Sequence, residues 1–452
     1  MTATADEPSK SLEHRAVGGS AWIVIGYGAN QLIRLFSNAL LTRLLPPSVF
    51  GINAIVLMFL QAIHMFSDLG IHASLVQNSR GDDESFVNTA WTLQVLRGFF
   101  LWGIALVCAY PLAYFYGESS LRILLPVAGL AAIAAGFNST ALATLTRHLK
   151  LGPVTKVELA AQFIGVAVMI VWAMISPSVW ALIAGALVTA VANLIFSHRL
   201  DGVAPRFTME RQARGELIKF GWPLFVSTAF TFLASQGDRF VLSAYVPVAL
   251  LGVYWMAAQL SQVGIAVLGS LSNSVIFPLY ARIATEAPES LRPRILKIRT
   301  VLLVLAMPLP AILVVFGDLV VQILFGEEFH DAGWMLQLLS VGMIFEALTS
   351  TIAPAILATG RTFRFMCLLI ARGGLVLAAA WIGVNYSGIE GLILGVVVAQ
   401  AASYPVLVWA VWPTRTWMPF LDLAALVYAA GIIFLGQLIH GVIQSWVFLL
   451  VG

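Results

Sequence analysis

The 452 residues are 60% hydrophobic and 10% charged, with a formal net charge of +3 and a mean hydropathy of +0.91. A soluble chain of this length needs far more polar surface, so the composition excludes a soluble enzyme, implies a membrane protein and gives no reason to expect a nucleic-acid partner. The two cysteines, Cys108 and Cys367, lie inside apolar runs and suggest neither a disulfide framework nor a metal site.

Residues 1–16 are polar, carry Lys10 and Arg15, and lack the pattern of a cleaved leader, so the first span is expected to direct insertion. A bilayer crossing takes about 20 apolar residues. On that measure spans fall near 17–45, 50–77, 86–115, 120–147, 153–176 and 178–200. After a polar linker at 201–215, a second set falls near 216–245, 248–281, 295–325, 331–358, 362–384 and 388–412. The tail, 413–452, is apolar enough for one or two further transmembrane segments. Pro308, Pro310 and Pro354 interrupt spans, as suits helices that bend.

Lys and Arg collect in alternate connections, among them Arg80, Arg147, Lys150, Arg206, Arg211, Arg282, Arg292, Arg299, Arg361 and Arg415, whereas the opposite side has only Arg43 and Arg122. This asymmetry predicts a cytoplasmic N-terminus and a cytoplasmic linker. Trp412 and Trp417 fit an interfacial belt. No outer connection leaves room for a catalytic domain, and neither a phosphate-cradling G-x-x-x-x-G-K-[ST] nor H-E-x-x-H nor C-x-x-C occurs. Neither an ATP-driven pump nor a metalloenzyme is expected, and no cofactor is called for.

The two sets of six spans repeat. "LTRLLPPSVFG" (41–51) and "LSAYVPVALLG" (242–252) align at an offset of 201, matching Leu41 with Leu242, Pro46 with Pro247 and Gly51 with Gly252. With six spans per half, both halves start on one side, which makes a parallel repeat about an axis along the membrane normal. The predicted fold class is thus an all-α polytopic membrane protein of two six-helix lobes, 1–200 and 216–412, plus the C-terminal segment or segments.

Charges inside such spans are costly, roughly 2.5–3.5 kcal/mol for a mid-bilayer arginine, so each needs a wet cavity or a fixed partner. Asn30, Arg34 and Asn38 are spaced i, i+4, i+8 on one helical face, and the 201 offset carries them to Thr231, Ser235 and Arg239. Both faces could line one cleft between lobes, with Asp238, about 100° from Arg239, turned toward a neighbouring helix of its own lobe. Arg97 and Arg372 are two further intramembrane cations. Together the arginines suit an anionic, phosphate-bearing substrate. The plainer alternative pairs each with an acid such as Asp68, Asp238, Glu158 or Glu346. Asp68 and Glu346 could instead carry a coupling H+ or Na+.

"FSDLGIHASLVQ" (66–77) and "GDRFVLSAYVPVALLGVYWMAAQL" (237–260) resemble the second-helix end and the seventh-to-eighth-helix signature of Wzx-type lipid-linked oligosaccharide flippases. These belong to the multidrug, oligosaccharidyl-lipid and polysaccharide exporter superfamily. The resemblance implies a two-lobed bundle in a bacterial inner membrane, moving a polyprenyl-pyrophosphate-linked saccharide between leaflets beside membrane lipids and other polysaccharide-assembly proteins. A cation-coupled multidrug exporter is the runner-up, and the arginines count against it.

Overall fold

A backbone inside hydrocarbon must satisfy its own N–H and C=O groups, so apolar runs of this length fold as helices. The computed structural model describes residues 7–67, 70–148, 150–200, 205–272, 276–286 and 291–451, and among these there is no strand. Eight helices or helix runs among the described residues are long and apolar enough to cross a bilayer, or ten if each of two bent pairs counts as one span. The chain is an all-helical, multi-pass membrane protein.

Met1–Leu45 and Ile52–Ala229 make one unit, and Pro46–Gly51 with Phe230–Gly452 the other. The first unit contains α1 (Glu7–Leu44), most of α2 (Pro47–Met65), α3 (Ile71–Gln77), α4 (Glu84–Tyr116), α5 (Leu121–Gly136), α6 (Ala141–Arg147), α7 (Leu151–Ile175) and α8 (Val179–Ser197). It also takes the start of α9 (Arg211–Tyr245), whose remainder lies in the second unit. In the first unit α4 packs on α5 and α7 on α8. The Asp83 side chain starts α4 by accepting the Ser85 N–H at 3.0 Å, satisfying one of the first-turn donors that a helix leaves free. Two predicted spans are broken here. Helix α2 ends at Met65 and α3 starts after Gly70, which has φ +57°, and α5 and α6 meet at 55° across residues 137–140.

The second unit continues with α10 (Val248–Ser261), α11 (Val263–Leu271), α12 (Phe277–Glu286), α13 (Leu291–Ala306), α14 (Pro308–Leu324), α15 (Ala332–Ala358), α16 (Thr362–Ala402), α17 (Tyr404–Val411) and α18 (Pro419–Val451). Helix α15 is its hub. It packs on α10, α12, α14 and α16, and 61% of its apolar window is buried against 22% for Pro419–Ile439 of α18. Pro354 has no N–H to offer the Ser350 carbonyl one turn back, and the Ser272 hydroxyl donates to that carbonyl instead, at 2.8 Å. Helix α16 turns at Ser387 and Gly388, where Gly388 has φ +59°, so it holds the eleventh span and most of the twelfth. The tail is one helix, α18, rather than two.

The repeat register is visible in one contact of the second unit. A Cβ on Gly51 would lie 1.8 Å from the Val248 carbonyl oxygen, and one on Gly252 would lie 2.0 Å from that of Pro47. The offset of 201 that pairs Gly51 with Gly252 also pairs Pro47 with Val248. Each glycine thus meets the repeat partner of the residue its own mate meets, the reciprocal pattern of a two-fold contact.

The segment before α9 is strapped to α4. Backbone N–H groups of Arg206, Thr208 and Glu210 donate to the side chains of Asn88, Thr92 and Thr89 at 2.9, 3.1 and 3.1 Å. Phe207 packs on Trp91 with ring centroids 4.7 Å apart. Arg80 closes the strap, bonding Asp83 at 2.7 Å and Glu210 at 2.8 Å, and Ser85 donates to Glu210 at 2.7 Å. The Arg80 guanidinium, helped by Ser85, holds both carboxyls below the usual carboxylate range. A depressed folded pKa adds stability above the unfolded value and loses it as pH falls through the folded one. The strap should therefore be intact at neutral pH and release only below about pH 4. Amide exchange over residues 205–210, corrected for intrinsic rates, should rise at low pH in the wild type and already at neutral pH in Glu210→Gln. Equal protection in all three conditions would refute the electrostatic account of the strap.

Candidate functional site

The opposed charges Asp238 and Arg239 are neighbours on α9, so their side chains diverge and cannot pair simply with each other. Two consecutive aromatics on α10 receive them. Tyr254 donates its hydroxyl to Asp238 Oδ2 at 2.5 Å, and the Arg239 guanidinium lies over the Trp255 ring, 4.4 Å from its centroid. Arg239 also donates to Gln236 Oε1 at 2.7 Å. Both charged residues are buried, Asp238 at 9% exposure and Arg239 at 4%. The sequence analysis did not pick out Tyr254 and Trp255 as partners. Their signal was present in the Gly-x-Tyr-Trp run of 252–255, but its pairing with 238–239 depends on how α9 and α10 lie side by side.

Asp238 borders a cavity of about 310 Å³ inside the second unit, which Ser261, Gln262, Glu346, Arg372 and Gln400 also line. Arg372 Nη2 and Glu346 Oε2 form an ion pair there, so the structure brings together two residues from the sequence list and neutralises one with the other. Asp238 is hydrogen-bonded to a neutral phenol instead. The cavity therefore carries two carboxylates against one guanidinium.

In the first unit Arg34 is exposed on α1, with Asn30 and Asn38 half-buried one turn to either side. Arg97 lies on α4, where Nε donates to Ser67 Oγ at 3.1 Å and Nη2 to the His64 carbonyl at 2.8 Å. It borders a second cavity of about 310 Å³. Asp68 and the side chains of Thr231 and Ser235 lie outside the described residues.

One charged pair escaped sequence reasoning. Arg299, counted above among cations at a cytoplasmic connection, is fully buried in α13 and pairs with Asp422 of α18 at 2.5 Å. It also donates to Thr351 Oγ1 and the Leu348 carbonyl, each at 3.2 Å. Tyr404 donates to the other Asp422 oxygen at 2.6 Å. The lone acid in "FLDLAALVY" was a signal for such a partner, but its identity depends on the packing of the tail helix.

Known proteins place this geometry in a family. The profile described as polysaccharide biosynthesis protein matches residues 40–334. The chain belongs to the polysaccharide biosynthesis protein family. It is 25% identical to the lipopolysaccharide biosynthesis protein WzxC of Escherichia coli (strain K12), over 95% of this chain and 90% of that one. It is 22% identical to the succinoglycan biosynthesis transport protein ExoT of Rhizobium meliloti (strain 1021), over 82% and 75%. Its fold is shared with an inward-facing multidrug resistance MATE family transporter of the MOP superfamily, at TM-score 0.70 and 16% identity over 85% and 94% of the two chains. The lipid II flippase MurJ, in an inward closed conformation, gives TM-score 0.66 and 12% identity over 92% and 98%.

Proposed function

We propose that this protein is a flippase that carries a polyprenyl-pyrophosphate-linked oligosaccharide from the inner to the outer leaflet of a bacterial inner membrane by alternating access, with its N-terminus in the cytoplasm. The family match over residues 40–334, within an almost wholly apolar helical chain, is the observation that carries this reading. Relatives named for polysaccharide biosynthesis and its transport support it, and so do arginines on membrane-spanning helices, which suit a pyrophosphate. No chemistry on the cargo is needed, so the protein acts as a transporter and not an enzyme.

Within this reading, Arg34 with Asn30 and Asn38, and the face bearing Thr231, Ser235 and Arg239, hold the head group. The second unit's cavity is the place for a coupling H+ or Na+. There Arg372 pairs with Glu346, and Asp238, which accepts the Tyr254 hydroxyl, is the second carboxylate on the wall. Multidrug export is the second reading; the MATE likeness, at 16% identity, carries the fold alone and does not favour it.

The test uses proteoliposomes holding a labelled polyprenyl-pyrophosphate oligosaccharide in one leaflet, read by a membrane-impermeant reagent. Wild type should expose the label, and the Arg34→Ala, Arg239→Ala double variant should slow exposure by at least about tenfold, the loss expected from one or two charge-assisted hydrogen bonds. An unchanged unfolding midpoint in the variant keeps that comparison valid. Uptake of an organic cation without any exposure of the saccharide would select the multidrug reading.

A further inference from the structure

The turn that follows α17 carries the one non-glycine residue with a positive φ among the described residues, Arg415 at +57°. An L-residue in the left-handed region crowds its Cβ against the backbone, and glycine or asparagine would fill the place at lower cost. The turn is nevertheless firmly built. The Thr414 hydroxyl donates to the Val411 carbonyl at 2.6 Å and lies 2.6 Å from the hydroxyl of Thr416, which is fully buried. The Arg415 N–H closes the turn on the Trp412 carbonyl at 3.2 Å. The chain thus accepts local strain to hold the backbone of an exposed arginine in a fixed place, a situation in which strain points to a function.

Two more arginines stand beside this turn. Arg361, just before α16, donates from Nη2 to the Pro413 carbonyl at 3.1 Å. Arg364 donates from Nη1 to the Trp409 carbonyl at 2.7 Å, and its guanidinium lies over the Trp409 ring, 4.7 Å from the centroid. Each guanidinium has five N–H donors, and these bonds take one from each. Of the acids between residues 346 and 422, Glu346 pairs with Arg372 and Asp422 with Arg299. Glu390, the third, lies beyond the Gly388 turn at the other end of its span. Aromatic and apolar surface adjoins the cations. Trp412 packs on Trp417 with centroids 5.4 Å apart and is 63% exposed. Phe420, Leu423 and Val427 follow at i, i+3 and i+7 on one face of α18, exposed by 87%, 59% and 63%. In hydrocarbon such a face meets acyl chains. A cationic turn, interfacial tryptophans and an apolar track leading away from them have the outline of an anionic amphiphile. Both connections lie on the side proposed above as cytoplasmic, where anionic head groups attract basic segments.

We propose that the turn at 412–416, with Arg361 and Arg364 beside it, is a docking site for the phosphate head group of an anionic membrane phospholipid. Arg415 supplies the exposed cation, Arg361 and Arg364 supply donors beside it, and the Phe420, Leu423 and Val427 face of α18 carries an acyl chain. The site does not depend on what the protein transports.

The test is thermal unfolding of the full chain in detergent micelles doped with phosphatidylglycerol or, as the zwitterionic control, phosphatidylcholine. A ligand that binds only the folded state raises the midpoint with its concentration. Wild type should rise with phosphatidylglycerol and not with phosphatidylcholine. Arg415→Gln keeps the strained backbone and removes the cation, so its half-maximal rise should need about fivefold more phosphatidylglycerol, the worth of one cation at a lipid surface. Arg415→Gly removes the strain as well, and should show the same weakened response from at least the wild-type midpoint in phosphatidylcholine. Arg294→Gln, which removes an exposed cation of α13, makes the same change in net charge and should respond as wild type. No rise in wild type, an undiminished response in Arg415→Gln, or equal weakening in Arg294→Gln would overturn the site. A rise that depends on Arg415 with geranylgeranyl pyrophosphate, but not with phosphatidylglycerol, would overturn the phospholipid and assign the turn to the head of a lipid-linked cargo.

Discussion

Asp422→Ala is expected to destabilise the protein by about 3–5 kcal/mol, because it strands a fully buried guanidinium without its carboxylate. The neighbours of Arg299 cannot compensate, since Thr351 and the Leu348 carbonyl offer only neutral acceptors. The pair as a whole is a different matter. Taking two charges out of water costs about as much as their attraction returns, so replacing both by apolar residues of similar volume is often neutral or stabilising. The double variant Arg299→Met, Asp422→Leu should therefore recover most of the loss. Thermal unfolding in one detergent, wild type beside the single and double variants, decides the point. A single variant within about 1 kcal/mol of wild type, the range of an exposed ion pair, would show that the pair is solvated rather than buried.

Gly51→Val and Gly252→Val should each perturb the second unit at one shared contact. A Cβ at either position overlaps a backbone carbonyl, which cannot swing aside as a flexible side chain can. Overpacking of this kind costs about 1–3 kcal/mol and occasionally more, because helix axes must separate. Since both glycines serve one crossing, the double variant should cost less than the sum of the two single ones, as for residues that share a contact. Unfolding midpoints of the three variants measure this. Strict additivity would mean that the two glycines belong to independent contacts. Alanine at Gly28, which has open space around its Cβ position, is the control.

The class of this protein was legible in the sequence because membrane insertion is a local property. A run of about 20 apolar residues makes a helix in lipid wherever it occurs, since the backbone has no other way to satisfy itself. The repeat was legible too: Pro46, Gly51, Pro247 and Gly252 kept their places at an offset of 201, and the structure shows the two glycines in reciprocal contact. The breaks in the spans were harder to see. "FSDLGIHASLVQ" and "GFNSTALATL" are apolar enough to pass for continuous helix, yet the chain bends at Gly70, which has φ +57°, and across residues 137–140.

The partners of the charges were decided by tertiary structure. That a buried arginine needs an acid, a ring or a wet cavity follows from its desolvation cost alone. Which of these it receives depends on which helices adjoin it and how they are rotated and shifted in register. Arg372 finds Glu346, Arg239 finds Trp255, Asp238 finds Tyr254, and Arg299 finds Asp422 from the far end of the chain. Hydropathy along a sequence sets how deep a residue lies in the membrane, but it carries little information about rotation around a helix or about which helix is the neighbour. Fold class could therefore be read from the sequence itself, whereas the burial of Arg299 and the polarity of each cavity arose only when the helices packed.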